Sequence, residues 1–160
     1  MIYEIKRSNA LRIEDGVIVH GCNAQGVMGS GFAREVKLVY PEAFIAYTKN
    51  LENCWKKKIS PLGQISVAQV GRDKYIVNAI TQEFYGNDGR MYVSYDALRA
   101  CFKEVNEFLL HLDFIGKGPR PTLHFPRIGC GLGGGDWKEV SKIIGEEVPL
   151  YEKYLHLYTM

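Results

Sequence analysis

The chain has 160 residues, of which 46% are hydrophobic and 24% are charged. That length suffices for one well-buried core and is too short for two ordinary domains, so we expect a single domain over residues 1–160. The net charge of +2 arises from 20 basic and 18 acidic residues spread along the sequence, a distribution that does not indicate a nucleic-acid partner. No apolar run approaches the roughly 20 residues of a membrane span, and no apolar signal region begins the chain, so we expect a cytoplasmic protein without a membrane partner.

The first half of the sequence predicts four strands and two helices. Apolar residues indicate strands at residues 2–6 and 17–21. A helix is predicted over residues 32–39, where it ends before Pro41, and a second helix runs from residue 42 to about residue 49. Residues 65–70 and 75–79 indicate two further strands, which a turn at Gly71-Arg72-Asp73 joins as a hairpin.

The second half of the sequence contains the clearest helical pattern. Apolar residues recur at spacings of three and four, and Ser94 is a natural N-cap before Tyr95, Leu98, Phe102, Val105 and Leu109. A turn-rich segment over residues 116–121 leads to a strand at 122–125, and a helix from Trp137 and a strand at 155–158 follow. Strands interleaved with crossover helices predict an α/β fold with a mixed, mostly parallel sheet that is covered on both faces.

Two glycine-dense stretches, residues 26–31 and 129–135, each follow a predicted strand and precede a predicted helix. Glycine lets the backbone adopt positive φ and approach a ligand, while the following helix offers unpaired N–H groups and the positive end of its dipole. Each stretch is therefore typical of a phosphate-binding loop, and the pair predicts a clamp on a diphosphate. Both would lie beyond the carboxyl ends of strands, where ligands bind in such sheets.

Other interpretations of these motifs are weaker. The pattern Gly129-x-Gly131-x-x-Gly134 matches a dinucleotide-binding fingerprint, but about 20 positions later, where a strand should end in an acidic residue, the chain has Tyr154 and Leu155. Neither stretch ends as a P-loop does. We interpret Cys22 and Cys130, one in each loop, as small buried residues beside glycine, with redox chemistry as the alternative. The run Lys56-Lys57-Lys58, after Trp55, is interpreted as a solvated loop, with a patch for an anionic partner as the alternative.

The two loops resemble those of macrodomains, the α/β/α proteins that bind ADP-ribose. The first loop carries the resemblance in His20-Gly21-Cys22-Asn23-Ala24-Gln25-Gly26-Val27-Met28-Gly29-Ser30-Gly31-Phe32-Ala33, and the second in Pro126-Arg127-Ile128-Gly129-Cys130-Gly131-Leu132-Gly133-Gly134-Gly135-Asp136-Trp137. The resemblance covers nearly the whole chain. It is greatest to the small macrodomains that dephosphorylate ADP-ribose 1″-phosphate, whose first loop also has a histidine three residues before the asparagine. It implies a three-layer α/β/α macrodomain.

The resemblance also implies a binding role for each segment. Ser8, Asn9 and Ala10 would contact the adenine, and Gly21, Cys22 and Asn23 would hold the distal ribose. The residues that would wrap the distal ribose and the diphosphate from one side are Met28, Gly29, Ser30, Gly31, Phe32 and Ala33. Those that would cover the diphosphate from the other side are Ile128, Gly129, Cys130, Gly131, Leu132, Gly133 and Gly134. Many macrodomains have an aspartate at the position of Asn9, where it accepts a hydrogen bond from the adenine amino group. The neutral amide of Asn9 would still accept this hydrogen bond but without its charge-assisted part.

Two residues are candidates for catalysis. His20 ends its strand at the expected pocket, and a histidine has a pKa suited to acid/base chemistry near neutral pH. A hydrogen-bonded histidine at a strand end is the alternative interpretation. For Asp136, the alternative is a capping box with Glu139 at the start of the Trp137 helix.

The expected function is hydrolysis of ADP-ribose 1″-phosphate to ADP-ribose and phosphate. The macrodomain branch that removes ADP-ribose from acidic side chains uses a lysine and an aspartate, and this chain has Gln82 or Glu83 at the first place and Gly133 at the second. The alternatives are an ADP-ribosyl hydrolase acting on modified protein or nucleic acid, and a non-catalytic reader of ADP-ribose. No residue cluster has metal-site spacing, so we expect no metal or cofactor. We also expect a monomer whose partner is a small ADP-ribose derivative.

Overall fold

A computed structural model describes residues 2–116, 118 and 120–159. Within these residues the strands are β1 (Ile2–Lys6), β2 (Gly16–Asn23), β3 (Ile65–Gly71), β4 (Lys74–Gln82), β5 (Leu123–Phe125) and β6 (Leu155–Thr159). The α-helices are α1 (Gly31–Val39), α2 (Pro41–Lys56), α3 (Tyr95–Ile115) and α4 (Trp137–Glu147). Two 3₁₀ helices span Ala10–Arg12 and Pro149–Tyr154.

The strands form one sheet in the order β1-β6-β5-β2-β4-β3. Every neighbouring pair is parallel except β3 and β4, which form an antiparallel hairpin. The carboxyl ends of the five parallel strands therefore lie along the same edge of the sheet, which we call the carboxyl edge. Both glycine-dense stretches begin near this edge, because one follows β2 and the other follows β5.

The alternation of side chains in β2 shows how the sheet is covered. Val17 and Val19 pack in the core under α3 and α4, whereas Ile18 between them packs in the core under α1 and α2. All three are fully buried. Helices thus cover both faces of the sheet, and the predicted three-layer α/β/α architecture with a mixed, mostly parallel sheet is confirmed.

Several local predictions are also confirmed. The β3–β4 hairpin forms as expected, and Ser94 caps α3 by accepting a hydrogen bond from the N–H of Ala97 at 3.1 Å.

The predicted second helix ends at about residue 49, whereas α2 continues to Lys56 because Leu51 and Cys54 extend its buried stripe. β2 likewise runs to Asn23, which pairs with Gln82 of β4.

The predicted turn-rich segment 116–121 includes residues 117 and 119, which lie outside the described residues. In the part of the chain that the structure describes, no helix is long and apolar enough to cross a membrane.

Candidate ligand-binding and active site

A cavity of about 600 Å³ opens at the carboxyl edge, between the ends of β2, β4 and β5. This volume lies in the range of small-molecule sites, roughly 300–1,000 Å³. The predicted binding residues that line it are Gly21, Cys22, Asn23, Gly29, Ser30, Gly31, Phe32, Ala33, Ile128, Gly129, Gly131, Leu132 and Gly133. The fold therefore brings the two glycine-rich segments, which are about a hundred residues apart in sequence, to opposite walls of one cavity.

The first loop is held in shape by Asn23. Its Oδ1 accepts hydrogen bonds from the backbone N–H groups of Gln25 (3.0 Å) and Val27 (3.4 Å), and its Nδ2 donates to the carbonyl oxygen of Val27 (2.7 Å). The hydroxyl of Tyr47, on α2, donates to the Asn23 carbonyl oxygen at 2.6 Å and accepts from the N–H of Gly26 at 3.1 Å. The amide of Asn23 thus bonds to its own loop, and it orients that loop over the cavity.

The second loop is held by the segment that precedes α3. The carbonyl oxygen of Gly133 accepts hydrogen bonds from the N–H groups of Tyr92 (2.7 Å) and Val93 (3.0 Å). A Cβ added at Gly129, where φ is +74°, would lie 2.6 Å from Cγ2 of Val93. This position therefore requires glycine for backbone conformation and for packing.

Gly131 has a different role, because its Cα faces open space. A Cβ added there meets no described atom within 4 Å, and its φ lies outside the left-handed region. A side chain at this cavity-lining position would therefore meet no described atom of the protein at its Cβ.

Residues on both walls of the cavity have backbone N–H groups that form no hydrogen bond within the described protein. Among the residues that the structure describes, no acceptor bonds to the N–H groups of Gly29, Ser30, Gly31 and Phe32 on one wall or of Gly131, Leu132 and Gly133 on the other. Those of Gly31 and Phe32 belong to the first turn of α1, where the helix dipole is positive. Such convergent donors, held in place by the fold, form a site for an anion with several oxygen atoms.

His20 lies at the floor of the cavity with only 1% of its surface exposed. Its Nε2 is 2.7 Å from Oδ1 of Asn78, whose own Nδ2 donates to the carbonyl oxygen of Ala43 and to Oγ of Ser66. This network assigns the imidazole proton to Nε2, so Nδ1 is the acceptor nitrogen. Burial lowers the pKa of His20 to about 4, and the hydrogen bond with Asn78 offsets that effect only in part. The imidazole is therefore neutral at pH 7.

The structure places the remaining predicted site residues away from the cavity wall. Asp136 is the N-cap of α4, where its Oδ1 accepts from the N–H of Lys138 at 3.0 Å. Asn9 caps the first 3₁₀ helix by accepting from the N–H of Leu11 at 2.9 Å, and Ala10 is buried. Ser8, Asn9 and Ala10 do not line the cavity. Their contact with adenine stays a prediction, as does any catalytic role of Asp136.

Two residues of the site, Asn78 and Tyr47, were not predicted from the sequence, although they hold His20 and Asn23 in position. Asn78 could have been noticed, because it is a single amide within the apolar run of β4 and a predicted β2–β4 pairing would bring it beside His20. Tyr47 carries no such signal, since a tyrosine in the middle of an amphipathic helix is usually a core residue. Asn87 and Arg127 also line the cavity and were not identified.

The cysteines of the two loops have separate surroundings. Cys22 lies 3.8 Å from Nδ1 of His20, and Cys130 donates to the carbonyl oxygen of Ile128 at 3.3 Å. Both are free thiols, and burial raises the pKa of each, to about 11 for Cys130. Within the described residues, no group of three or more histidine, cysteine, aspartate or glutamate side chains could hold a metal ion.

The family assignment follows from the fold, the site and the sequence together. The family model described as the Macro domain matches residues 19–144, which include both glycine-rich loops and α3. The chain belongs to the Macro domain family.

Individual relatives differ in the share of their own length that this chain covers. An uncharacterized 17.5 kDa protein of Enterobacteria phage T4 is 33% identical over 138 residues, which are 84% of this chain and 81% of the phage protein. A DNA ADP-ribosyl glycohydrolase of Thermus aquaticus is 27% identical over 149 residues, which are 91% of this chain and 38% of that protein. The chain thus spans well under half of this second relative. The structure of a protein of unknown function from Bacteroides thetaiotaomicron is similar with a TM-score of 0.82 and 31% identity, covering 100% of this chain and 98% of that one.

We expect the protein to lose stability between pH 7 and pH 5, in part because of His20. The pKa of His20 is about 4 in the folded protein and near 6.5 in the unfolded chain, so the unfolded chain takes up the proton first as the pH falls. For His20 alone the loss is about 2 kcal/mol. Urea unfolding at both pH values, on the wild type and on His20→Gln, measures this contribution.

The matched control is His111→Gln, because His111 is an exposed histidine on α3. This variant should lose as much stability as the wild type, whereas His20→Gln should lose about 2 kcal/mol less. An equal loss in His20→Gln would show that His20 does not carry the effect.

Proposed function

We propose that this protein binds ADP-ribose and hydrolyses the bond that joins C1″ of the distal ribose to DNA. The observation that carries the proposal is the pair of facing loops whose backbone N–H groups have no acceptor in the described structure. ADP-ribose is a diphosphate with a ribose on each side, and such a ligand needs donors from two directions at its centre. The Thermus aquaticus relative, a DNA ADP-ribosyl glycohydrolase by name, supports DNA as the carrier of the ADP-ribose group.

The diphosphate would lie between Ser30-Gly31 and Gly131-Leu132. Spread negative charge is well matched by several N–H dipoles, which need no reorganisation because each loop is already fixed by its own hydrogen bonds. The positive end of α1 adds to this attraction. His20 and Phe32, whose rings are 5.8 Å apart, line one part of the cavity, and this part would receive the distal ribose.

Hydrolysis at C1″ forms a bond from a water oxygen to C1″ and breaks the bond from C1″ to the leaving group, which retains the electron pair. The attacking water loses one proton to solvent, and the leaving group takes up a proton from solvent. We propose His20 as the group that contacts this water. Its Nε2–H is committed to Asn78, so Nδ1 is the atom that can accept a hydrogen bond from the water and orient it. Asp136 caps α4 outside the cavity wall, which supports a structural role for that carboxylate.

Hydrolysis of ADP-ribose 1″-phosphate is the second candidate. The histidine three residues before Asn23 favours it, because the small macrodomains with this activity share that feature. Both reactions release ADP-ribose and act on the same end of the ligand, so they differ only in the leaving group. The two can therefore be separated by substrates but not by the binding of ADP-ribose.

A substrate panel tests the proposal directly. We expect the protein to release ADP-ribose from an ADP-ribosylated single-stranded oligonucleotide with kcat/KM at least about tenfold above that for ADP-ribose 1″-phosphate or an ADP-ribosylated protein, a difference of about 1.4 kcal/mol in transition-state binding. Liquid chromatography of released ADP-ribose and a phosphate assay give the rates. Calorimetry with ADP-ribose and AMP on the same preparation should show clearly tighter binding of ADP-ribose, because only the longer ligand reaches both loops.

The outcomes are distinct. Turnover of ADP-ribose 1″-phosphate alone would establish the second candidate in place of the first. Binding of ADP-ribose without any turnover would make the protein a non-catalytic reader. Equal affinity for AMP and ADP-ribose would contradict the clamp itself.

A second experiment compares His20→Ala with Asp136→Asn. His20→Ala should lose about a hundredfold or more in turnover, as expected for a group that contacts the reacting water, and should keep ADP-ribose affinity within a few fold. Asp136→Asn should keep most of its rate and cost at most about 1 kcal/mol of stability, because asparagine caps a helix nearly as well as aspartate. Steady-state kinetics and thermal melts decide. An inactive but stable Asp136→Asn beside an active His20→Ala would reverse the assignment.

A third experiment separates ligand space from backbone conformation in the second loop. Gly131→Val should abolish ADP-ribose binding and change stability by less than about 0.5 kcal/mol, because Gly131 lines the cavity and a Cβ there meets no described atom within 4 Å. Gly129→Ala is the matched control and should lose about 1–3 kcal/mol of stability through positive φ and the clash with Val93. Calorimetry and urea unfolding measure both effects. Normal binding by folded Gly131→Val would mean that this loop does not hold the diphosphate.

A further inference from the structure

The rim of the cavity presents two neighbouring aromatic side chains to solvent. Phe84 and Tyr85 follow β4, and their exposed fractions are 61% and 54%. Tyr85 lines the cavity, whereas Phe84 lies beyond its wall. The backbone under them is fixed, because Nε2 of Gln82 donates to the Phe84 carbonyl oxygen at 2.8 Å and Nε2 of Gln25 donates to that of Glu83 at 3.2 Å. Exposed aromatic rings on a fixed backbone are suited to stacking.

A basic segment lies at the same edge of the sheet. Trp55, which is 53% exposed, ends α2 together with Lys56, and Lys57 and Lys58 follow. The chain then joins the end of β4, where the N–H of Gly63 donates to the carbonyl oxygen of Ile80 at 2.8 Å. The three lysines therefore flank the strand that continues into Phe84 and Tyr85.

The lysine charges are available to a partner. Within the described part of the chain, no carboxylate forms an ion pair with Lys56, Lys57 or Lys58, whereas Arg90 and Arg127, at the same edge, lie beside Asp88 and Glu4. Acidic residues such as Glu14, Asp15 and Asp73 precede β2 and β4 and so lie at the opposite edge. Although the net charge is only +2, the fold places these unpaired lysine charges at the edge of the sheet where the cavity opens.

We propose that Phe84, Tyr85 and the Trp55–Lys58 segment form a binding track for a single strand of DNA, next to the cavity that holds its ADP-ribose group. This inference rests on the proposed function and names how the macromolecular part of the substrate is held. Lysines bind the phosphates of the strand without regard to sequence, and aromatic rings stack on bases that are free of a complementary strand. A duplex would keep its bases stacked inside and would leave Phe84 without a partner.

The experiment measures binding of an unmodified, labelled single-stranded oligonucleotide of about 12 nucleotides by fluorescence anisotropy. The triple variant Lys56→Ser, Lys57→Ser, Lys58→Ser should bind at least about tenfold more weakly at low salt and show a shallower dependence on salt. Its control, Lys103→Ser, Lys142→Ser, Lys153→Ser, removes the same charge at exposed positions elsewhere and should bind within about twofold of the wild type.

The aromatic contribution has its own matched pair. Phe84→Ser should weaken binding about fivefold or more, the loss expected for one stacked base. Phe114→Ser removes a ring that is 90% exposed near the far end of α3 and should leave binding unchanged. On an ADP-ribosylated oligonucleotide, the lysine triple variant should raise KM and leave kcat within about twofold. Calorimetry should give wild-type affinity for free ADP-ribose in every variant.

Wild-type binding by the Lys56–Lys58 triple variant, or an equal loss in both triple variants, would overturn the track. So would wild-type binding by Phe84→Ser, or binding of a duplex as tight as that of the single strand. If the protein cleaved an ADP-ribosylated peptide and the oligonucleotide did not inhibit that cleavage, the rim would be a binding surface for protein. That result would also overturn the track. If the wild type failed to bind ADP-ribose, the proposed function would fail, and strand binding would still be measured independently by the unmodified oligonucleotide.

Discussion

The hydrogen bond between His20 and Asn78 is the constraint on which the geometry of the site depends. The two residues are partners across the parallel strands β2 and β4, and Asn78 also bonds to α2 through Ala43 and to β3 through Ser66. One buried amide therefore links three strands and a helix directly beneath the cavity. A buried polar network of this kind is stable only when its members are satisfied, so the floor of the site is fixed before any ligand enters.

The loops above that floor are equally well determined. Asn23 and Tyr47 hold the first loop, and the segment around Val93 holds the second, so that the N–H groups facing the cavity are not used by the protein itself. An anion that binds there meets donors that are already oriented, which reduces the entropic cost of binding. Two glycines of the second loop have different roles. Gly129 permits the turn and the packing against Val93, whereas Gly131 lines the cavity and leaves open space where a Cβ would lie.

Features that depend on local pattern could be predicted from the sequence. The apolar stripe and Ser94 defined α3, and the glycine-rich stretches after β2 and β5 located the cavity. Features that depend on contacts between distant segments could not be predicted. The sequence shows that His20 ends a strand, but it does not show that Asn78 takes its Nε2 proton. In the same way, Asn23 resembles a ligand-binding amide, and only the fold shows that its side chain bonds to its own loop. The run Lys56-Lys57-Lys58 is visible in the sequence, whereas only the fold shows that it lies at the carboxyl edge of the sheet, where the cavity opens.

The neutral state of His20 restricts the chemistry that this site can perform. With a pKa of about 4, the imidazole is neutral near pH 7 and its single N–H is bonded to Asn78. It is also too weak a base to remove a proton fully from water. In the proposed reaction, the barrier would therefore fall mainly through positioning of the water and of C1″ and through stabilisation of the diphosphate by fixed dipoles. Such a mechanism suits leaving groups that are stable without protonation, because the electron pair can depart before a proton arrives from solvent. Phosphate meets this requirement, and so does a base that can carry negative charge. The floor of the cavity is therefore compatible with both candidate reactions, and contacts of the substrate with the rim would distinguish them.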